Sequence, residues 1–211
     1  MESPRELWTG RFEAGWRDRC HATVPQQEAA YHKKFGVSKT QVLSPFLDAI
    51  GDQPSILEVG CSYGGQLAFL EHHGFNNLTG IDISKDAVLQ AGSEEGVSAD
   101  LTMGDAASLP FVTDAFDVIF TSGCMIHIPP PELLGVCREI ARVSSRFILG
   151  KEYFARSLTE IEYRGHSNVL FKGPYPSFFE LSTPFETIKL EHLRYLDSEN
   201  QDVVYLLSNE N

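Results

Sequence analysis

Long apolar runs are missing from this chain, and with them a membrane span. The longest falls far short of the roughly 18 residues that a bilayer crossing needs. The N-terminal stretch is rich in charge and Trp and lacks the apolar centre of a secretory signal, so a cytoplasmic protein is expected. Cysteine is scarce. Cys20, Cys61, Cys124 and Cys137 form no C-x-x-C pair and no zinc-type spacing with histidine, which argues against a disulfide framework and predicts reduced thiols. His72-His73 has no carboxylate at ligand spacing, and no metal is expected. Positive charge is also short: 17 Lys and Arg stand against 29 Asp and Glu, for a net charge of −12. With no basic stripe to offset it, that charge repels tRNA or DNA and favours a small-molecule partner. A homodimer stays open.

What the chain does have is an ordinary globular composition. At 211 residues and 42% apolar content, with prolines scattered and no repeat or linker, it suits one domain over 1–211 with a full core. Strand patterns at 55–60, 77–83, about 98–103, 116–121 and 146–152 alternate with helical ones at 64–73, 84–91 and 132–143. Ser84 reads as an N-cap. This alternation predicts a parallel sheet with helices on both faces, a doubly wound α/β fold. A short helix after Pro174 and strands at about 185–196 and 202–208 follow. Residues 1–25 read as turns and a short helix, and Gln26–Ile50 as one or two helices, with Gly36 and Pro45 arguing for a break. The stretch 154–172 is polar, aromatic and irregular, and long enough to suggest a functional loop.

The strongest signal is Ile56-Leu57-Glu58-Val59-Gly60-Cys61-Ser62-Tyr63-Gly64-Gly65. A strand feeding a glycine turn and then a helix is how such folds cradle a nucleotide-like ligand. A dinucleotide site needs a third-place glycine where Ser62 stands, so a diphosphate fits poorly. Glu58 repels phosphate and can pair with an ammonium group. Asp82, 24 residues after Glu58, can accept hydrogen bonds from two ribose hydroxyls. The ligand should carry a ribose and a cation and no phosphate, a description that S-adenosylmethionine (SAM) meets. Asp105 and the amide of Ala106 suit an adenine, although an Asp there can also cap its own turn. Thr121 and Ser122, at the end of the fourth strand, should face the methionine part.

As a set, Glu58-x-Gly60-Cys61-x-x-Gly64, Gly80-Ile81-Asp82-Ile83-Ser84, Gly104-Asp105-Ala106 and Phe116–Thr121 resemble the ordered motifs of class I SAM-dependent methyltransferases. The resemblance covers about residues 55–150 and implies a Rossmann-like, mostly parallel seven-stranded sheet with an antiparallel last strand. It also implies that residues 1–50 supply a helical lid over the cofactor, with S-adenosylhomocysteine (SAH) as product. Ile126-His127-Ile128, Glu162-Tyr163-Arg164-Gly165-His166-Ser167 and Leu170-Phe171-Lys172 are similar to a narrower group. That group holds the methylases associated with pseudaminic acid biosynthesis and the phosphonate O-methyltransferases of antibiotic pathways. Trp8-x-Gly10-x-Phe12 resembles their opening segment, from which Glu13 and Cys20 depart. The likeness puts Arg19 near the methionine carboxylate and Trp16 or Tyr31 over the site.

For the acceptor, Tyr163, Arg164, His166 and Lys172 stand out. Three cations within nine residues of an acidic chain suggest an anion site, with paired hydrogen bonds from Arg. A solvated loop neutralised by Glu160 and Glu162 is the plainer alternative. His127 and Tyr31 are candidate general bases, though His127 can equally order its loop. A phosphonate or carboxylate oxygen would need no base. These features favour O-methylation of a small anionic metabolite. Methylation of a small amine, a NAD-dependent oxidoreductase and a SAM-binding protein without transferase activity are the competing readings.

Overall fold

The computed structural model describes residues 7–8, 23–93 and 97–210. Two helices come first among the named elements, α1 (Val24–Phe35) and α2 (Lys39–Ile50). They part at Gly36, whose left-handed φ of 78° ends α1 where a Cβ would be strained. Pro45, expected to add to that break, lies inside α2 instead. Its missing N–H removes one bond from the helix ladder. Val42, Leu43, Phe46, Leu47 and Ile50 hold the helix by burying one face. That face belongs to the core, so α2 is a packed layer of the fold, while Lys39 at its start lines the cavity.

Then follow β1 (Ile56–Val59), α3 (Gly65–His72), β2 (Leu78–Asp82), α4 (Lys85–Ala91), β3 (Asp100–Met103), β4 (Phe116–Ser122), a 3-10 turn at Met125–His127, α5 (Pro130–Val143) and β5 (Ser144–Tyr153). Ser84 caps α4 by accepting the amide of Ala87 at 3.2 Å. The chain closes with β6 (Thr159–Glu160), β7 (Phe171–Lys172), α6 (Tyr175–Ser182), β8 (Glu186–Arg194) and β9 (Gln201–Ser208).

The seven-stranded sheet has the order β3-β2-β1-β4-β5-β9-β8. Its first five strands are parallel, and β9 runs antiparallel to both β5 and β8. Strand residues alternate between two cores, as a pleat requires. Ile56, Val118, Phe120, Leu149 and Leu206 pack under α1, α2 and α3. Leu57, Ile119, Ile148, Tyr205 and Leu207 pack under α5 and α6. Strand order reverses between β1 and β4, which opens a crevice at their carboxyl ends.

The segment 154–172, irregular over most of its length, folds back on itself through β6 and β7. Tyr163 and His166 exchange two backbone hydrogen bonds of 3.0 Å across Arg164-Gly165. Those two residues have φ of 53° and 79°, the positive pair of a tight hairpin turn. No helix among the described residues is long and apolar enough to cross a membrane.

Candidate cofactor and acceptor site

The crevice holds a cavity of about 400 Å³. At its floor β1 breaks at Gly60, where φ is 77° and the amides of Gly60 and Cys61 both donate to the Ile81 carbonyl, at 2.8 and 3.0 Å. A Cβ at Gly60 would lie 2.7 Å from Cys124 Sγ, so the turn has room for glycine alone. Gly64, at φ 80°, is the N-cap of α3 and shapes the turn from behind. Ser62 also adopts a left-handed φ, 48°. Its amide donates to Asp82 Oδ2 at 2.8 Å, and the amide of Ser84 donates to Oδ1 at 2.8 Å. Both carboxylate oxygens are thereby fixed at the cavity wall, in place to accept from ribose hydroxyls. Cys61, Ser62, Asp82 and Ile83 line the cavity.

Farther along, Gly104, Asp105 and Ala106 line the wall where adenine was expected. Asp105 Oδ1 accepts the amide of Ala107 at 2.8 Å, so this carboxylate does cap its turn while also facing the cavity.

The cavity wall also carries two buried ionisable groups, one of which the sequence did not reveal. Glu58 is 1% exposed, and its Oε2 has no hydrogen-bond partner among the described residues. Burial holds its carboxyl well above the usual range, while Lys39 pulls the other way. Lys39, at the start of α2, is fully buried against the same cavity. Its ammonium donates to Gln27 Oε1 and lies 3.9 Å over the Phe69 ring. Burial pushes it down to about 7, with Glu58 opposing. A wall with one acid and one amine suits a zwitterionic amino-acid end. These observations fit SAM: a buried acid with one unpartnered oxygen among the described residues for its ammonium, an amine for its carboxylate, a doubly accepting aspartate for its ribose.

At the mouth, Trp8 and His127 line the cavity with ring centroids 4.1 Å apart, and Tyr163 stacks on Trp8 at 6.4 Å. His127 Nδ1 lies 2.7 Å from the Val169 carbonyl, a bond that needs a proton on Nδ1. Burial pushes the ring down to about 4, so it is neutral at working pH. Tyr31 also lines the cavity, with its hydroxyl held above the ordinary phenol range by burial.

Other expected residues are placed apart. Ser122 lines the cavity, but Thr121 does not; strand alternation turns its hydroxyl into the core beside Glu152 and Tyr205. Arg164 is exposed at the hairpin tip, 5.4 Å over the Tyr163 ring. His166 sits beside it. Lys172 faces elsewhere, donating to Asn200 Oδ1 at 2.6 Å. The three cations therefore do not converge, because the hairpin separates its tip from its base. Trp16 and Arg19 lie outside the described residues.

Glu152, 1% exposed at the end of β5, accepts the amides of Cys124 and Met125 at 3.3 Å and so holds the turn that carries His127. Burial pushes its carboxyl up to about 7, from 4.5, against the pull of those amides. A raised carboxyl favours the folded state fully below about 4.5, and that contribution is lost as pH rises through about 7. The loss amounts to roughly 3 kcal/mol. Glu152→Gln should remove this slope, so urea unfolding at pH 5 and pH 8 should differ less for the variant than for the parent. Parallel pH dependences would mean that Glu152 is already ionised at pH 5.

Comparison with known proteins gives the class. Residues 56–146 match the family model described as a methyltransferase domain. Methyltransferase GfsG of Streptomyces halstedii is 36% identical over 146 residues, covering 66% of this chain and 49% of the relative. Sterol 24-C-methyltransferase ERG6B of Gibberella zeae is 30% identical over 144 residues, 65% of this chain and 36% of the relative. The chain thus spans half or less of the curated relatives it matches. Among solved structures, the 1,6-didemethyltoxoflavin-N1-methyltransferase of Burkholderia thailandensis has bound 1,6-didemethyltoxoflavin and SAH. It superimposes with a TM-score of 0.74 at 14% identity, covering 100% of this chain and 92% of that one. The fold is the Rossmann-like methyltransferase fold, and residues 56–146 carry a methyltransferase-domain signature. SAM is its cofactor, and the relatives speak to that class without singling out the narrower group.

Proposed function

We propose that this protein transfers the methyl group of SAM to an oxygen of a small anionic metabolite, a phosphonate or a carboxylate-bearing acid such as an acidic sugar or a natural-product intermediate. The observation that carries the cofactor half is the phosphate-free cradle: Asp82 fixed through both oxygens, with Glu58 buried where a phosphate would be repelled. Bound there, SAM supplies a methyl group on a positively charged sulfur. The residues' own work is orientation. Asp82 and the Gly60 turn fix the nucleoside, Glu58 and Lys39 fix the amino-acid end, and Trp8 and His127 close the mouth against water. Such alignment can supply roughly 7–11 kcal/mol.

The two groups considered as bases are both detuned: His127 is pushed to about 4 and Tyr31 above its ordinary value. An acceptor already ionised at neutral pH suits that arrangement. The likeness to phosphonate and pseudaminic acid methylases supports the same reading. The net charge of −12 speaks for a small partner and against nucleic acid.

Calorimetry with SAH and with NAD, then methyl transfer to acids, amines and alcohols read by mass, tests the proposal. SAH binding without NAD binding, and transfer to acids, is the expected result. NAD binding would overturn it, transfer to amines alone would make the protein an N-methyltransferase, and SAH binding with no transfer would leave a binding protein. With an acidic acceptor, His127→Gln should keep at least about a tenth of kcat. A loss of roughly a hundredfold or more would identify a general base.

A further inference from the structure

Beside the cavity, at the carboxyl edge of the sheet, lies a lysine cluster that the cofactor does not use. Lys151, near the end of β5, has its ammonium 2.7 Å from Asp202 Oδ2. Lys34, in the last turn of α1, reaches the same oxygen at 3.6 Å and sits 3.9 Å over the Tyr195 ring. Lys172 lies 4.1 Å over the Tyr153 ring. Tyr153 and Tyr195 are stacked, with centroids 5.8 Å apart and planes 8° apart, so Lys34 and Lys172 each lie over one ring of a stacked pair.

Charge in this cluster is unbalanced. Asp202 is the close carboxylate, already shared with the Tyr195 hydroxyl at 2.7 Å. Asp197 adds a weaker pull on Lys34, and Glu152 a weaker one on Lys151. Lys172 has the neutral Asn200 as its partner, and no ion pair with a carboxylate among the described residues. Burial first, and repulsion from Lys151 second, lower Lys34 to about 8. Lys34 is thus the under-compensated amine, whereas Lys151, despite its burial, is held above the ordinary amine range by Asp202, Tyr31 and Glu152.

The cluster adjoins the methyl-transfer cavity. Lys151 pairs with Ser122 across β4 and β5, and its carbonyl accepts the amide of Gly123 at 2.9 Å. Ser122 and Gly123 both line the cavity. Tyr31 stands between the two places. Its ring is 5.7 Å from Lys151 Nζ, it lines the cavity, and its buried hydroxyl has no hydrogen-bond partner among the described residues.

We propose that Lys34, Lys151 and Lys172, beside the Tyr153–Tyr195 pair, hold the acid group of the acceptor, with the Tyr31 hydroxyl as a neutral donor on the side facing the methyl group. The proposal rests on the anionic-acceptor reading and moves the anchor from Arg164 and His166 to the sheet edge. Three ammonium groups, against Asp202 with weaker pulls from Asp197 and Glu152, favour a dianionic group, a phosphonate or phosphate, over a single carboxylate. The reacting oxygen then extends past Tyr31 toward Ser122.

The test uses the full chain saturated with SAH, with methylphosphonate and acetate as probes. Lys34→Met and Lys172→Met are compared with Lys34→Arg and Lys172→Arg. Lys151 is kept, because removing it would strand the buried Asp202. Methylphosphonate should bind the parent more tightly than acetate. Each Met variant should weaken it roughly tenfold or more, each Arg variant should keep most of it, and SAH affinity should not change. No methylphosphonate binding to the parent, or equal binding to parent and Met variants, would overturn the subsite. If the parent methylates acids while the Met variants keep the parent KM, the subsite is wrong and the anionic-acceptor reading stands. If the parent methylates neutral acceptors alone, that reading itself has failed.

Discussion

Asp82→Ala is expected to weaken SAH binding by about 3 kcal/mol or more, roughly a hundredfold or more. The side chain acts twice. Its two oxygens accept the amides of Ser62 and Ser84, both at 2.8 Å, and the side chain lines the cavity where the ribose is expected. Alanine removes both ribose contacts and also frees Ser62 from a left-handed φ of 48° that a serine does not favour. The cradle should therefore lose its shape as well as its acceptors. Asp82→Asn should be intermediate, because the amide keeps one acceptor but turns an N–H toward one of the two backbone donors. Calorimetry with SAH measures both variants, and melting without ligand separates binding loss from unfolding. Unchanged SAH affinity in Asp82→Ala would place the ribose elsewhere.

The cofactor half of this site was legible in the sequence because its residues are constrained locally. A turn that demands φ above zero at Gly60 and Gly64 leaves a glycine signature, and Asp82 must follow its strand directly to reach the turn. The order of strands and helices was legible for the same reason, since period and caps are local. Misreadings arose where tertiary contacts decide. Pro45 stays helical because α2 buries five apolar side chains. The Arg164-Gly165 turn lacks the usual Asn or Asp ahead of its glycine, so the hairpin read as an irregular loop.

The charged residues were harder still. Lys39 follows the capping serine of α2, where a lysine ordinarily faces solvent; the packing of α1 on α2 and α3 buries it instead, between Gln27 and the Phe69 ring. Lys172 was grouped with Arg164 by nearness in sequence, whereas the hairpin gives it Tyr153 and Asn200 as neighbours. Lys34 and Lys151 are 117 positions apart, and no local pattern could join them to one carboxylate. Thr121 is a different case. Strand alternation alone could have separated its side chain from that of Ser122.

Gly150→Ala should cost the fold more than about 3 kcal/mol, or prevent soluble expression altogether. Gly150 lies in β5 between Thr121 of β4 and Tyr205 of β9. A methyl group there would sit 2.0 Å from Tyr205 Cζ and 2.3 Å from its hydroxyl oxygen. Glycine is required because the Tyr205 ring lies across the strand where a side chain would stand. The ring has little freedom to yield: Tyr205 is fully buried, with Phe179 at 6.4 Å between centroids on one side and Thr121 and Glu152 near its hydroxyl. Overpacking in a core that cannot relax exceeds the usual 1–3 kcal/mol. Tyr205→Val should destabilise by itself through the cavity it leaves. Adding Gly150→Ala to Tyr205→Val should then cost far less than Gly150→Ala in the parent, because the clashing ring is gone. Urea unfolding of the three variants measures this coupling. Strict additivity would show that the ring and the glycine do not meet. β5 continues directly into Lys151 and Glu152, so the same clash should also disturb the lysine cluster and the turn that carries His127.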